Sequence, residues 1–283
     1  MSAYGTKYYL AVVIFTLFFS CISYAKSDVT ITVWVHGTYP VMNALTAKNS
    51  PFRSWTYTEK GLSLAKKLPY NYYFRKLAYE CCDRNPDEFN VDHFYTYGWY
   101  SSKMRPGHRR AEGERFYQAL KQLLTEYKIK YNTITLRLVG VSHGGNVVLH
   151  SVKYMPFDID GVEVELVLIA TPIQESNREF VNNPCIKRTY SFYSDADWIQ
   201  RIDAQIFHHD APHGCPMWSG RMFKKTDRVI QIRLKIDGQF IGHNKYRSIV
   251  KYLPEMLTLV DEHVGLENQK DHVLLNFETK DTK

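Results

Sequence analysis

The segment GVSHGG, residues 140–145, places one serine among glycines, between the apolar runs 133–140 and 145–155. A G-x-S-x-G sequence between a strand and a helix is typical of a tight turn that exposes the serine hydroxyl at the helix N-terminus. Such a hydroxyl becomes a nucleophile only when an imidazole takes its proton and a carboxylate holds that imidazole. We therefore expect Ser142 to attack an acyl group; the alternative is a glycine-rich turn with an incidental serine.

A family resemblance rests on two motifs, "GVSHGGN" and the dipeptide "HG" at 36–37, directly after an apolar run. Together they resemble the lipase and esterase branch of the α/β-hydrolase superfamily. The resemblance implies an α/β-hydrolase fold and hydrolysis of carboxylic esters through an acyl-enzyme intermediate. It also implies that an acid and then a histidine follow the serine along the chain.

The candidate acids follow the apolar run 187–194, where the chain reads "SDADWIQ". In lipase-like proteins the acid lies a few residues beyond the strand and just before a hydrophobic turn. By this resemblance Asp197 is favoured over Asp195, which is left as the alternative.

The candidate base is His243, which follows the apolar run 228–236 and precedes a short helical segment. This position resembles the catalytic histidine loop of the superfamily. His208, His209 and His213 also follow the acid, but they precede the run 228–236, so the order of elements argues against them. With Asp210 they could bind a metal, although solvated loop histidines are the simpler interpretation.

The oxyanion of an acyl transfer needs two preorganised N–H donors. One is expected to be the backbone N–H of His143, directly after the nucleophile. By resemblance to lipases the other is the N–H of Thr38, which follows His36 and Gly37. His36 is expected to hold this loop by hydrogen bonding and not to act as a second base.

Apolar and β-branched runs predict the elements that must position these residues. Strands are predicted at 29–35, 91–99, 133–140, 162–172, 187–194 and 228–236, and helices at 58–68, 111–128, 145–155 and 245–253. Strands that alternate with helices predict an α/β protein with a mostly parallel central sheet and helices on both faces. The last roughly 20 residues read as a polar tail.

The N-terminal residues predict export. An apolar run from Leu10 to Ile22 precedes "SYAK", in which Ser23 and Ala25 form a signal-peptidase pattern. We expect residues 1–25 to be removed, which leaves an α/β-hydrolase domain at 26–283 in the periplasm or outside the cell. Since export permits disulfides, the loop-rich C-terminal half suggests a Cys185–Cys215 pair, with free thiols as the alternative.

Composition limits the partners. The net charge of +7 is spread along the chain, and nothing matches a nucleic-acid module. The basic runs 105–110 and 221–225 are compatible with peripheral contact with anionic lipid or with an ordinary solvated surface. No cofactor or metal motif is required, and the expected partner is a small-molecule or lipid ester substrate.

Substrate choice is left open by the sequence. The aromatic segment 97–110 and an excursion at 199–220 are expected to border the site, and the absence of a long amphipathic lid helix argues against triacylglycerol specificity. The same triad would serve a serine peptidase or an acyltransferase, and a non-catalytic hydrolase fold that binds lipid or protein is a further alternative.

Overall fold

The computed structural model describes residues 27–38, 60–101, 106–156, 160–202, 222–224, 226–266 and 272–279. These residues build a nine-stranded sheet. Its strands are β1 (Val29–Val35), β2 (Gly61–Leu64), β3 (Phe94–Gly98), β4 (Ile134–Val141), β5 (Val162–Ile169), β6 (Ile186–Tyr193), β7 (Val229–Ile236), β8 (Gln239–Phe240) and β9 (His272–Phe277).

The strand order is β2-β3-β1-β4-β5-β6-β7-β8, and β9 pairs with β7. Strands β3, β1, β4, β5, β6, β7 and β9 run parallel, whereas β2 and β8 pair antiparallel with β3 and β7. The chain leaves β1 for β3 on one side and returns to β4 on the other. The carboxyl ends of β1 and β4 therefore meet where the winding reverses, which is where open α/β sheets bind ligands.

The helices and their bounds are α1 (Tyr73–Arg84), α2 (Pro106–Lys128), α3 (His143–Val152), α4 (Glu175–Arg178), α5 (Trp198–Ile202), α6 (Tyr246–Ile249) and α7 (Leu253–Leu266). Among the described helices, none is long and apolar enough to cross a membrane. The predicted signal peptide, 1–25, lies outside the described residues.

Two hydrophobic clusters cover the two faces of the sheet, because successive strand residues point to opposite sides. In β1, Val33 and Val35 belong to one cluster, with α2 and α3, while Trp34 belongs to the other, with α1 and α7. The apolar stripe of α2 (Phe116, Leu120, Leu123, Leu124) is buried in the first cluster. The predicted class, α/β with a mostly parallel central sheet and helices on both faces, is confirmed.

Two predicted segments are wrong. In the described part of the helix predicted at 58–68, the chain instead forms the edge strand β2 followed by a single 3-10 turn, Ala65–Lys67. The supposed polar tail contains β9, whose residues alternate between exposed and buried and pair with β7. In both places a strand gains its stability from a partner that is distant in the chain.

The predicted Cys185–Cys215 disulfide is not seen in the described residues. Cys81, Cys82 and Cys185 are free thiols, and Cys215 lies outside the described residues. The Cys185 side chain packs into the hydrophobic cluster beside α3. Burial raises the pKa of this thiol to about 11, so it stays protonated and unreactive at neutral pH.

Candidate active site

The turn between β4 and α3 holds Ser142 in an unusual backbone conformation. Its φ of 51° and ψ of −131° lie in a region that costs a non-glycine residue roughly 1–3 kcal/mol, and the Ser142 N–H donates to the carbonyl of Ile169 at 2.8 Å. A Cβ at Gly144 would lie 2.4 Å from the carbonyl oxygen of Val35. Glycine at this position therefore lets β1 and the start of α3 touch.

Three side chains from distant parts of the chain meet at this turn. Ser142 Oγ lies 3.1 Å from His243 Nε2, and His243 Nδ1 lies 2.8 Å from Asp197 Oδ2 and 3.1 Å from Oδ1. An ionised Asp197 carboxylate can only accept, so the proton between it and His243 lies on Nδ1, and Nε2 is left to accept the serine proton. Asp197 is completely buried, whereas the His243 side chain is 17% exposed.

The turn after β6 determines which of its two carboxylates reaches His243. The backbone N–H of Gln200 donates to Asp197 Oδ1 at 2.9 Å, and the Gln200 side-chain Nε2 donates to the carbonyl of Thr171 at 2.9 Å. Asp195 instead accepts from Arg233 Nε at 3.1 Å at the protein surface. The structure thus brings Asp197, and not Asp195, to the histidine.

The loop after β1 lies directly against the serine turn. A Cβ on Gly37 would lie 3.0 Å from Ser142 Cβ, so the backbone that leads into Thr38 borders the serine. His36 holds this loop: its Nδ1 lies 2.8 Å from the Gly37 carbonyl, and its Nε2 accepts the Trp99 N–H at 3.3 Å. Burial lowers the pKa of His36 to about 4, so the ring is neutral and structural.

Several residues around the site were not predicted from the sequence. Gln200 supports Asp197, Trp99 N–H orients His36, and Asn146 and Asn177 form buried hydrogen bonds beside His143. Asn146 lies within the segment "GVSHGGN" and could have been noticed there. Nothing in the local sequence distinguishes Gln200 or Asn177.

Some predicted residues fall outside the described part of the chain. These are His208, His209, Asp210 and His213, together with most of the excursion 199–220. Within the part that is described, no cluster of three metal-ligating side chains occurs. Trp198, which lies between Asp197 and this excursion, is 61% exposed.

The comparisons with known proteins are distant. No family model matches the chain, and no curated protein matches it. The solved structures that it resembles include a Listeria innocua protein, the product of the gene lin2722, with 12% identity, a TM-score of 0.38, and coverage of 88% of this chain and 98% of that chain.

Two further solved structures are similar. A lipase-esterase related protein from Clostridium acetobutylicum is 13% identical with a TM-score of 0.28, over 88% of this chain and 86% of that chain. A protein named as a hydrolase from Agrobacterium vitis is 14% identical with a TM-score of 0.29, over 88% of this chain and 78% of that chain. At these similarities the activities of those proteins are not transferred to this chain.

Proposed function

We propose that this protein is a serine hydrolase that cleaves carboxylic esters through an acyl-enzyme intermediate. The observation that carries the proposal is the continuous hydrogen-bonded chain from Ser142 Oγ through His243 to Asp197. A serine hydroxyl is a weak nucleophile by itself, and this arrangement is the one that activates it. These three side chains meet at the reversal of strand order, where open α/β sheets bind ligands.

In the first half-reaction Ser142 Oγ bonds to the ester carbonyl carbon while its proton moves to His243 Nε2. The carbonyl π electrons move to oxygen, and the backbone N–H groups of His143 and Thr38 donate to the oxyanion. When the tetrahedral intermediate collapses, the bond to the alkoxide breaks. His243 returns its proton to the leaving oxygen, so the products are an alcohol and an acyl-serine.

Water completes the cycle by the same steps. Its oxygen bonds to the acyl carbon while a proton moves to His243 Nε2, and collapse of the second intermediate breaks the bond to Ser142 Oγ. The proton returns to Ser142, and a carboxylic acid leaves. Throughout, Asp197 stays ionised and stabilises the imidazolium that forms twice in each turnover.

The test is labelling of the purified protein, residues 26–283, with a fluorophosphonate probe that reacts with activated serines. Wild type should label, and Ser142→Ala and His243→Ala should not. The matched control is Ser151→Ala. It removes a buried hydroxyl that also lies on α3 but away from the triad, where it donates to the Val148 carbonyl at 2.7 Å. A folded wild type that stays unlabelled, with and without lipid or detergent, refutes the proposal.

A second experiment on the same protein, which compares hydrolysis of esters and amides, tests the substrate class. We expect p-nitrophenyl esters of short acids to be cleaved and the corresponding amides to be cleaved far more slowly. Faster amide cleavage would identify a peptidase, and acyl transfer to an added alcohol in preference to water would identify an acyltransferase.

We also propose that residues 1–25 are an export signal. The support is the short apolar run Leu10 to Ile22 followed by Ser23 and Ala25. The intact mass of the protein recovered from the periplasm or medium should correspond to a chain that begins at Lys26. Recovery of the full-length chain from the cytoplasm alone would contradict this proposal.

A further inference from the structure

Three histidines border the serine turn. One of them, His243, lies with its Nε2 3.1 Å from Ser142 Oγ. His36 is kept neutral by burial and by the Trp99 N–H. The third, His143, is only 6% exposed and directly follows the nucleophile, so its proton arrangement matters for the site.

Two backbone groups determine the direction of the hydrogen bonds next to His143. The Pro172 carbonyl can only accept, so the Asn146 atom 3.2 Å from it must be the amide nitrogen. The Gln174 N–H can only donate, so the Asn177 atom 3.2 Å from it must be the amide oxygen. The remaining contact, Asn177 Nδ2 to Asn146 Oδ1 at 2.8 Å, agrees with both assignments.

This chain of amides ends on the His143 ring. Asn146 Nδ2, now established as a donor, lies 3.3 Å from His143 Nδ1, so Nδ1 must accept and carries no proton. Asn146 and Asn177 are fully buried, so water does not compete for these groups. If the Asn146 amide were flipped, its oxygen would face the Pro172 carbonyl oxygen and its NH2 would face the NH2 of Asn177, so both hydrogen bonds would be lost.

We propose that Asn146 and Asn177 are positioning residues that hold His143 as a neutral imidazole with its proton on Nε2. The assignment of the His143 tautomer rests on these contacts, whereas the role of this tautomer in catalysis rests on the proposed function. A neutral ring beside Ser142 does not repel the imidazolium that forms on His243 during acyl transfer. The same bonds fix the first turn of α3, which supplies the proposed oxyanion donor, the His143 N–H.

The test is two-bond ¹⁵N–¹H correlation NMR of the imidazole rings at pH 7, with the His143 signals identified by their loss in His143→Gln. Wild type should show a protonated Nε2 and an unprotonated Nδ1. In Asn177→Ala the Asn146 amide loses the partner that orients it. The His143 signals should then move towards the average of two tautomers, with kcat for an ester lowered roughly five- to tenfold and KM within about twofold.

The matched control is Asn183→Ala. Asn183 Nδ2 donates to the carbonyls of Val152 and Met155 at 3.0 and 3.2 Å, at the other end of α3. This variant loses amide-to-backbone bonds of the same kind, and it should leave the His143 signals unchanged.

The wild-type spectrum decides the matter even if Asn177→Ala does not fold. A protonated Nδ1, or an imidazolium at pH 7, would overturn the proposal, as would a folded Asn177→Ala with unchanged His143 signals. If the tautomer is as expected but Ser142 does not react with a fluorophosphonate, the proposed function fails while the tautomer assignment stands.

Discussion

Replacement of Asp197 by asparagine should disable the triad without disturbing its surroundings. The Gln200 N–H, 2.9 Å from Oδ1, can only donate, so it will bind the oxygen of the new amide. The amide nitrogen then occupies the Oδ2 position, 2.8 Å from His243 Nδ1, and presents a donor to it. His243 must accept at Nδ1 and carry its proton on Nε2, where it can no longer accept the proton of Ser142.

The expected cost follows from this change of tautomer. In a serine protease triad, the equivalent acid-to-amide change lowers kcat by about 10 000-fold. We expect kcat/KM to fall roughly 1000- to 10 000-fold, or about 4–5.5 kcal/mol at 1.36 kcal/mol per factor of ten. KM should change little, because Asp197 is fully buried and does not face the substrate.

The assay is hydrolysis of p-nitrophenyl acetate, with stability measured by urea unfolding of the same samples. Asp195→Asn is the matched control: it alters the neighbouring carboxylate, which pairs with Arg233 at the surface, and activity should stay within about twofold. The reasoning is refuted if folded Asp197→Asn keeps more than about a tenth of wild-type activity, or if Asp195→Asn is the variant that loses it.

Three further predictions concern stability and reactivity. Burial lowers the pKa of His36 and of His150 to about 4. Below about pH 6.5, the ordinary pKa of histidine, the unfolded chain therefore binds more protons than the folded protein. The free energy of unfolding should fall by about 2 kcal/mol per histidine from pH 7 to pH 5. Equal urea midpoints at the two pH values would contradict this. Gly144→Ala places a Cβ 2.4 Å from a β1 carbonyl and should cost about 1–3 kcal/mol and most of the activity. Gly107→Ala, with no atom within 4 Å, should cost nothing, and equal thermal midpoints for the two variants would count against the close contact. Cys185 should resist a thiol reagent at pH 8 until the protein unfolds. Rapid modification of Cys185 in the native protein, located by peptide mapping, would contradict the burial of this thiol.

Strands and helices with strong periodicity could be predicted from the sequence alone. The β-branched run at 29–35 is strand β1 with the same bounds, and the stripe Phe116, Leu120, Leu123, Leu124 is the buried face of α2. These elements bury enough of their own apolar surface for the local pattern to determine them. Strands β2 and β9 differ, since each owes its conformation to hydrogen bonds with a strand far away in the chain.

The candidate site divides in the same way. The residues of the turn around Ser142 are contiguous, so a strand, a glycine-flanked serine and a helix suffice to predict the turn from the sequence alone. Asp195 and Asp197 are chemically identical and two residues apart, and only the folded turn, with the Gln200 N–H on one side and Arg233 on the other, decides which carboxylate meets His243. The Asn146–Asn177 pair is likewise a product of tertiary structure, because a hydrogen bond between residues 31 positions apart leaves no local pattern.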